Sequence, residues 1–106
     1  MTYCVVLTEI AEAEVDDIFF WLVGRNPNHA AKWLNGFRRS IATLSEFPER
    51  CQIAREDVLF DVPVRQHLFE KHRILYTLID SDGDGTAETV RILHVRHGAR
   101  QDPEGL

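Results

Sequence analysis

Five arginines and one histidine in the C-terminal part of this 106-residue chain carry its most suggestive chemistry: Arg65, Arg73, Arg91, Arg96, Arg100 and His97. A guanidinium is a planar fork that binds phosphate or carboxylate oxygens two at a time. An imidazole titrates near neutrality, which makes His97 the best candidate for a general acid or base. Cleaving RNA without a metal needs such groups: a base for the 2′-hydroxyl, an acid for the leaving 5′-oxygen, and cations to hold the phosphorane charge. The same residues have a plainer reading. Arginines on a sheet also pair with neighbouring carboxylates or lay their stems along a strand edge.

Other candidates are weaker. His94 and His97 are three apart in a β-rich run, so alternation sends them to opposite faces and argues against a metal pair. Cys4 and Cys51 are too few for a disulfide framework and have no metal-ligand spacing around them. The stretch Asp80-Ser81-Asp82-Gly83-Asp84-Gly85 resembles the first half of a calcium loop, but Arg91 stands where a bidentate glutamate is needed, and Asp-Gly is a favoured turn signal. An ordinary hairpin loop is the expectation, with no metal and no cofactor. His29, His67 and His72 read as solvated, and Tyr76 as a core aromatic. Phe20, Trp21 and Trp33 read as exposed aromatics on helices, of which Phe20 and Trp21 fall off the buried stripe and form an apolar patch for a protein partner.

The elements that must position these groups follow from the hydrophobic pattern. Tyr3 to Leu7 is a short β-rich run, and Thr8 is a helix N-cap with Glu9 and Glu12 in the first turn, where the helix dipole favours acids. Ala11, Val15, Ile18, Phe19 and Leu22 make the apolar stripe of a first helix, which Gly24 is placed to end. Asn26-Pro27 caps and opens a second helix with the stripe Ala30, Leu34, Phe37, Ile41 and Leu44, ending before Phe47-Pro48. So short a connection makes an antiparallel helical hairpin. Residues 50–63 carry mixed signals, and Val64 to Glu70, His72 to Asp80 and Thr89 to Arg96 are three β-rich runs joined as hairpins. The expected fold is α+β, in the order β-α-α-β-β-β. An N-terminal strand and the helical hairpin pack on one face of a twisted, mainly antiparallel sheet, leaving the other face for function.

Composition narrows the class. The length fits one domain over residues 1–106. Hydrophobic residues at 44% and charged residues at 27% are globular proportions, which excludes disorder. No apolar run is long enough to span a membrane, and no signal peptide is apparent, so a cytoplasmic protein without a membrane partner is expected. A net charge of −5 argues against a protein held on nucleic acid by its overall field.

In this order and spacing, the segments YCVVLTEIAEAEVDDI, NPNHAAKW, LSEFPERC, HRILYTLID and VRILHVRHGAR resemble the RelE/ParE superfamily, the toxins of type II toxin-antitoxin systems. The resemblance covers nearly the whole chain. Its most specific parts are the strand with Arg73, Ile74 and Tyr76 and the closing run through His97. It implies the fold above, a cognate antitoxin that wraps the toxin as a hetero-oligomer, and roles in growth arrest and plasmid stabilisation. One branch of the superfamily inhibits DNA gyrase. Another cleaves messenger RNA on the ribosome, and there Arg73 matches the position that contacts the scissile phosphate, with His97 and Arg100 as its companions. The chain has no tyrosine after Tyr76 and is acidic, whereas its long helical hairpin suits the gyrase branch. A gyrase inhibitor is therefore the first expectation, and an endonuclease or a non-enzymatic interaction module the alternatives. The implied antitoxin contacts are Arg65, Arg73, Arg91 and Arg96 on the open sheet face, with Phe20 and Trp21 on the hairpin.

Overall fold

Thr8 sets the start of the first helix: its Oγ1 accepts the Ala11 N–H at 3.0 Å, filling one of the donors a helix N-terminus leaves open. In the computed structural model, which describes residues 2–80 and 82–98, this helix, α1, runs Glu9–Arg25 and continues through Gly24. Asn26, not Gly24, ends it. The Asn26 N–H donates to the Leu22 carbonyl while its side chain accepts the His29 N–H, so one residue closes α1 and caps α2, Pro27–Ala42. A 3-10 turn, Thr43–Ser45, extends α2, and two more occupy Pro48–Arg50 and Arg55–Leu59. The strands are β1, Cys4–Leu7; β2, Arg65–Phe69; β3, His72–Ile79; and β4, Thr89–His97.

The strand order is β1-β4-β3-β2. The last three strands are antiparallel, as their hairpins require, and β1 lies parallel to β4 at the far edge. Both helices pack on one face. Ala11 and Val15 of α1 with Trp33, Phe37 and Ile41 of α2 meet Ile74, Tyr76, Val90, Ile92 and Val95 of the sheet. Each of the larger aliphatic and aromatic side chains among them, fully buried, contributes roughly 1.5–3 kcal/mol of transfer free energy. Tyr76 is completely enclosed and donates its hydroxyl to the Pro48 carbonyl at 2.6 Å, tying the end of the helical layer to the central strand. Trp33, expected at the surface, is 2% exposed and stacks on Phe37 at 5.4 Å.

The opposite face is not open. Residues 52–64 fold back over it, where Ala54 and Val64 bury Leu75, with Phe60 and Leu93 packed around them. Ala54 and Val64 are joined by a backbone hydrogen bond, and Asp57 accepts the Val64 N–H at 2.7 Å, so the segment forms a strap with its own small core.

A β-bulge in β4 decides which side chains face which layer. Leu75 pairs with His94 and Tyr76 with Ile92, leaving Leu93 as the extra residue. Beyond it the alternation is reset. Val95 and His97 join Val90 and Ile92 on the helical face, while Arg96 joins Arg91 on the strap face.

Candidate functional site

Arg73 sits on the strap face of β3, directly across from Arg96 of β4. Two like charges in register repel, and the strap supplies the compensation. Arg73 Nη1 and Nη2 each donate to a Glu56 carboxylate oxygen at 2.7 Å, and Nε and Nη2 donate to Gln66 Oε1 at 3.0 and 2.7 Å. The two side chains are only 9% and 11% exposed. Hydrogen bonding to Arg73 holds the Glu56 carboxyl below the ordinary carboxylate range, and the same bond raises Arg73 further above its usual value. The fork is therefore filled by an internal carboxylate. A phosphate could reach it only by displacing Glu56.

The other candidates do not gather around Arg73. Arg65 pairs with Tyr76, so it lies on the helical side of β2, where Nη1 donates to the carbonyls of Glu49 and Cys51 at 3.1 and 2.7 Å. It holds the chain that leads into the strap. Arg91 is exposed on the strap face, opposite Thr77 and beside Val6 of β1. His97 pairs with His72 and turns its ring to the helical face, away from the Arg73 guanidinium. Arg100 lies outside the described residues. Arg73 and His97 thus leave the sheet on opposite faces, although both border a cavity at the sheet end next to the β2–β3 turn.

The hairpin presents a different surface. Phe20 is 69% and Trp21 61% exposed on α1, matching their places off the buried stripe. Arg25 stacks over Trp21 at 4.6 Å, and Phe19 meets Phe20 edge-on at 5.8 Å. Beside Phe20 a groove of about 460 Å³ runs between the helices, with Leu34, Phe37 and Ile41 as its apolar floor. Glu12 and Asp16 stand on its α1 bank and Arg38 on the α2 bank. An amphipathic helix or strand with apolar anchors and mixed charge fits such a trough. The sequence pattern marked Phe20 and Trp21 but not the groove.

Two histidines expected in solvent are built into contacts. His67 lies between layers, its Nε2 2.8 Å from Ser40 Oγ and its Nδ1 3.9 Å from Cys51 Sγ. Burial, then Arg50, lowers its pKa. His72 meets Trp33 edge-on at 5.4 Å, and burial followed by His97 lowers its pKa as well. His94 contacts α1, its Nδ1 3.2 Å from Glu14 Oε2 while Glu14 Oε1 accepts the Val95 N–H at 2.8 Å. In the loop between β3 and β4, Asp80 Oδ1 accepts the Gly83 and Asp84 N–H groups, with Gly83 and Gly85 both at positive φ. Its Oδ2 accepts the Gly85 N–H. This is the expected turn chemistry. Asp80, Asp82 and Glu88 offer carboxylate oxygens within 4.8 Å of one another, but both Asp80 oxygens serve the loop's own backbone.

A strand feeding a helical hairpin, then three antiparallel strands with an arginine-bearing centre, is the arrangement the family resemblance implied. Residues 5–102 match the family described as ParE toxin of type II toxin-antitoxin system, parDE. The chain belongs to the ParE toxin family. Among solved structures, this ParE-family chain is similar to one from the chromosomal ParDE toxin-antitoxin system of P. aeruginosa. The TM-score is 0.68 at 18% identity, with 91% of this chain and 96% of that one covered. It is also similar to a chain of the RelBE2 toxin-antitoxin complex of Mycobacterium tuberculosis, with TM-score 0.56, 23% identity, and 92% and 99% covered. At these identities the likeness speaks for the fold. No curated protein matches the sequence. Among the described residues no helix of the ParE-family chain is long and apolar enough to cross a membrane.

Proposed function

We propose that this ParE-family toxin acts in the cytoplasm as an inhibitor of DNA gyrase, arrests growth when unopposed, and is neutralised by tight binding of a cognate antitoxin. The observation that carries the choice of target is the Arg73–Glu56 fork. A metal-free nuclease needs its phosphate-binding cation accessible and a proton-transfer group beside it. Here the Arg73 guanidinium is occupied on the strap face and the His97 imidazole lies on the helical face. Inhibition of a protein target needs a docking surface and no catalytic set, and the hairpin with Phe20 and Trp21 supplies one. The antitoxin is read as an amphipathic segment that lays apolar anchors in the helical groove and carboxylates toward Arg91 and Arg96. These two proteins then form a hetero-oligomer, a device suited to plasmid stabilisation.

Induced expression of the chain alone in a bacterial host, with parallel pulse labelling of DNA synthesis and translation, tests this reading. A prompt fall in DNA synthesis with an induced damage response supports gyrase inhibition. A prompt fall in translation with fragmented messages overturns it in favour of ribosome-dependent messenger-RNA cleavage. No effect on either reduces the chain to an interaction module.

A further inference from the structure

We propose that His72 and His97 form a binding site for a borderline divalent transition-metal ion at the end of the sheet that carries the β2–β3 turn. The register places the two histidines directly opposite one another on neighbouring antiparallel strands. The bulge at Leu93 turns both rings to the same face. Their ring centroids are 5.4 Å apart with planes at 72°. Two imidazoles that share one zinc at about 2.1 Å and near-tetrahedral angles hold their centroids roughly 5 Å apart, so little movement separates the observed pair from a chelating one. Imidazole is a ligand suited to zinc, copper and nickel rather than to calcium or magnesium.

Two further features favour an ion here. His72 Nδ1 is buried and has no hydrogen-bond partner, which is costly for a polar atom unless something satisfies it. A cavity of about 450 Å³ opens beside both rings; Glu70 is the one carboxylate that lines it, and Lys71 and Arg73 border it too. Glu70 is at the turn with φ 53 and must swing inward to act as a third ligand, since the loop trio of Asp80, Asp82 and Glu88 is the only such group within 4.8 Å among the described residues. Gly98 lets the end of β4 approach the β2–β3 turn closely: a Cβ there would stand 3.1 Å from the Lys71 carbonyl oxygen. The ion would clip the start of β3 to the end of β4.

The probe is zinc chloride alone, titrated into the full chain and followed by calorimetry, native mass spectrometry and the histidine ring NMR signals. The expected result is one ion per chain, with the His72 and His97 resonances moving together. His97→Gln, at an exposed position, should weaken binding by about ten-fold or more while thermal unfolding in chelator stays near wild type. His72→Gln should do the same, and if it fails to fold, His97→Gln carries the test. Asp82→Asn should leave the affinity unchanged. Absence of binding, or binding that survives His97→Gln, overturns the proposal.

Discussion

Arg73 and Glu56 face each other through two nitrogen-oxygen contacts of 2.7 Å, one from each terminal guanidinium nitrogen to each carboxylate oxygen. The pair joins the central strand to the strap over the sheet, and it stands where the family resemblance would put a phosphate-binding cation. A buried ion pair is weak evidence of net stabilisation, but removing one partner strands the other in a low-dielectric site. Glu56→Ala should therefore destabilise the fold by about 3–5 kcal/mol in urea unfolding. Arg73→Met together with Glu56→Leu should recover most of that loss. A single Glu56→Ala variant as stable as wild type would mean that the strap is not latched here.

The docking reading of the hairpin makes a separate prediction. Aromatic anchors dominate binding free energy at interfaces, so Trp21→Glu or Phe20→Glu should each weaken antitoxin binding by about 2 kcal/mol, roughly thirty-fold in Kd. Both residues are more than half exposed, so the unfolding midpoint of the free chain should hardly move. Calorimetric titration with antitoxin decides, and unchanged affinity in both variants removes this surface from the interface.

Acid should destabilise the protein in two stages. His67 and His72 have folded-state pKa values below the ordinary 6.5, each chiefly through burial, so the unfolded chain binds protons more readily than the folded one. Their stabilising contribution is fully present above about pH 6.5 and is lost as pH falls through the folded values. Glu56, held low by Arg73, adds a second stage below its ordinary 4.5. Urea midpoints measured at intervals from neutral to acid pH should be level near neutrality and then decline, with the first decline reduced in His67→Gln. A flat profile down to about pH 5 would contradict it.

Thr8 offers a local test of the strand-to-helix junction. Its hydroxyl oxygen accepts the Ala11 N–H, and its own N–H donates to Ile92, so it fixes both the helix start and the end of β1. Thr8→Ala should cost about 1 kcal/mol, and Thr8→Ser should restore most of it. Equal stability of wild type and Thr8→Ala would show the cap to be idle.

The helices were legible because capping and periodicity agreed: Thr8, Asn26 and Pro27 act where their chemistry places them. Gly24 misled because a glycine within a helix is tolerated when the next residues still find partners, and Asn26 supplied the stop two residues later. Trp33 was misplaced because the stripe was drawn through Leu34. A tryptophan at the neighbouring position is wide enough to fill the space under His72 and Phe69. The site was harder to read. Strict alternation along VRILHVRH would put Arg91 with His97, and only the one-residue bulge at Leu93 sends Arg96 to the strap face and His97 to the helical face. A bulge leaves no local signature when every residue around it is β-favouring. The strap was equally hidden, since its hold on the sheet depends on Glu56 reaching a residue seventeen positions away.

The parallel pairing of β1 with β4 has a temporal side. β1 finds its neighbour only in Thr89–His97, and closing a loop of about eighty residues is a slow, entropically costly event that local contacts cannot hasten. While the chain is being synthesised, the first strand has nothing to pair with until the last one has left the ribosome. The finished sheet, and with it any harmful activity, then arises only after β4 has emerged, which leaves an interval in which an antitoxin already present can meet the toxin as it folds.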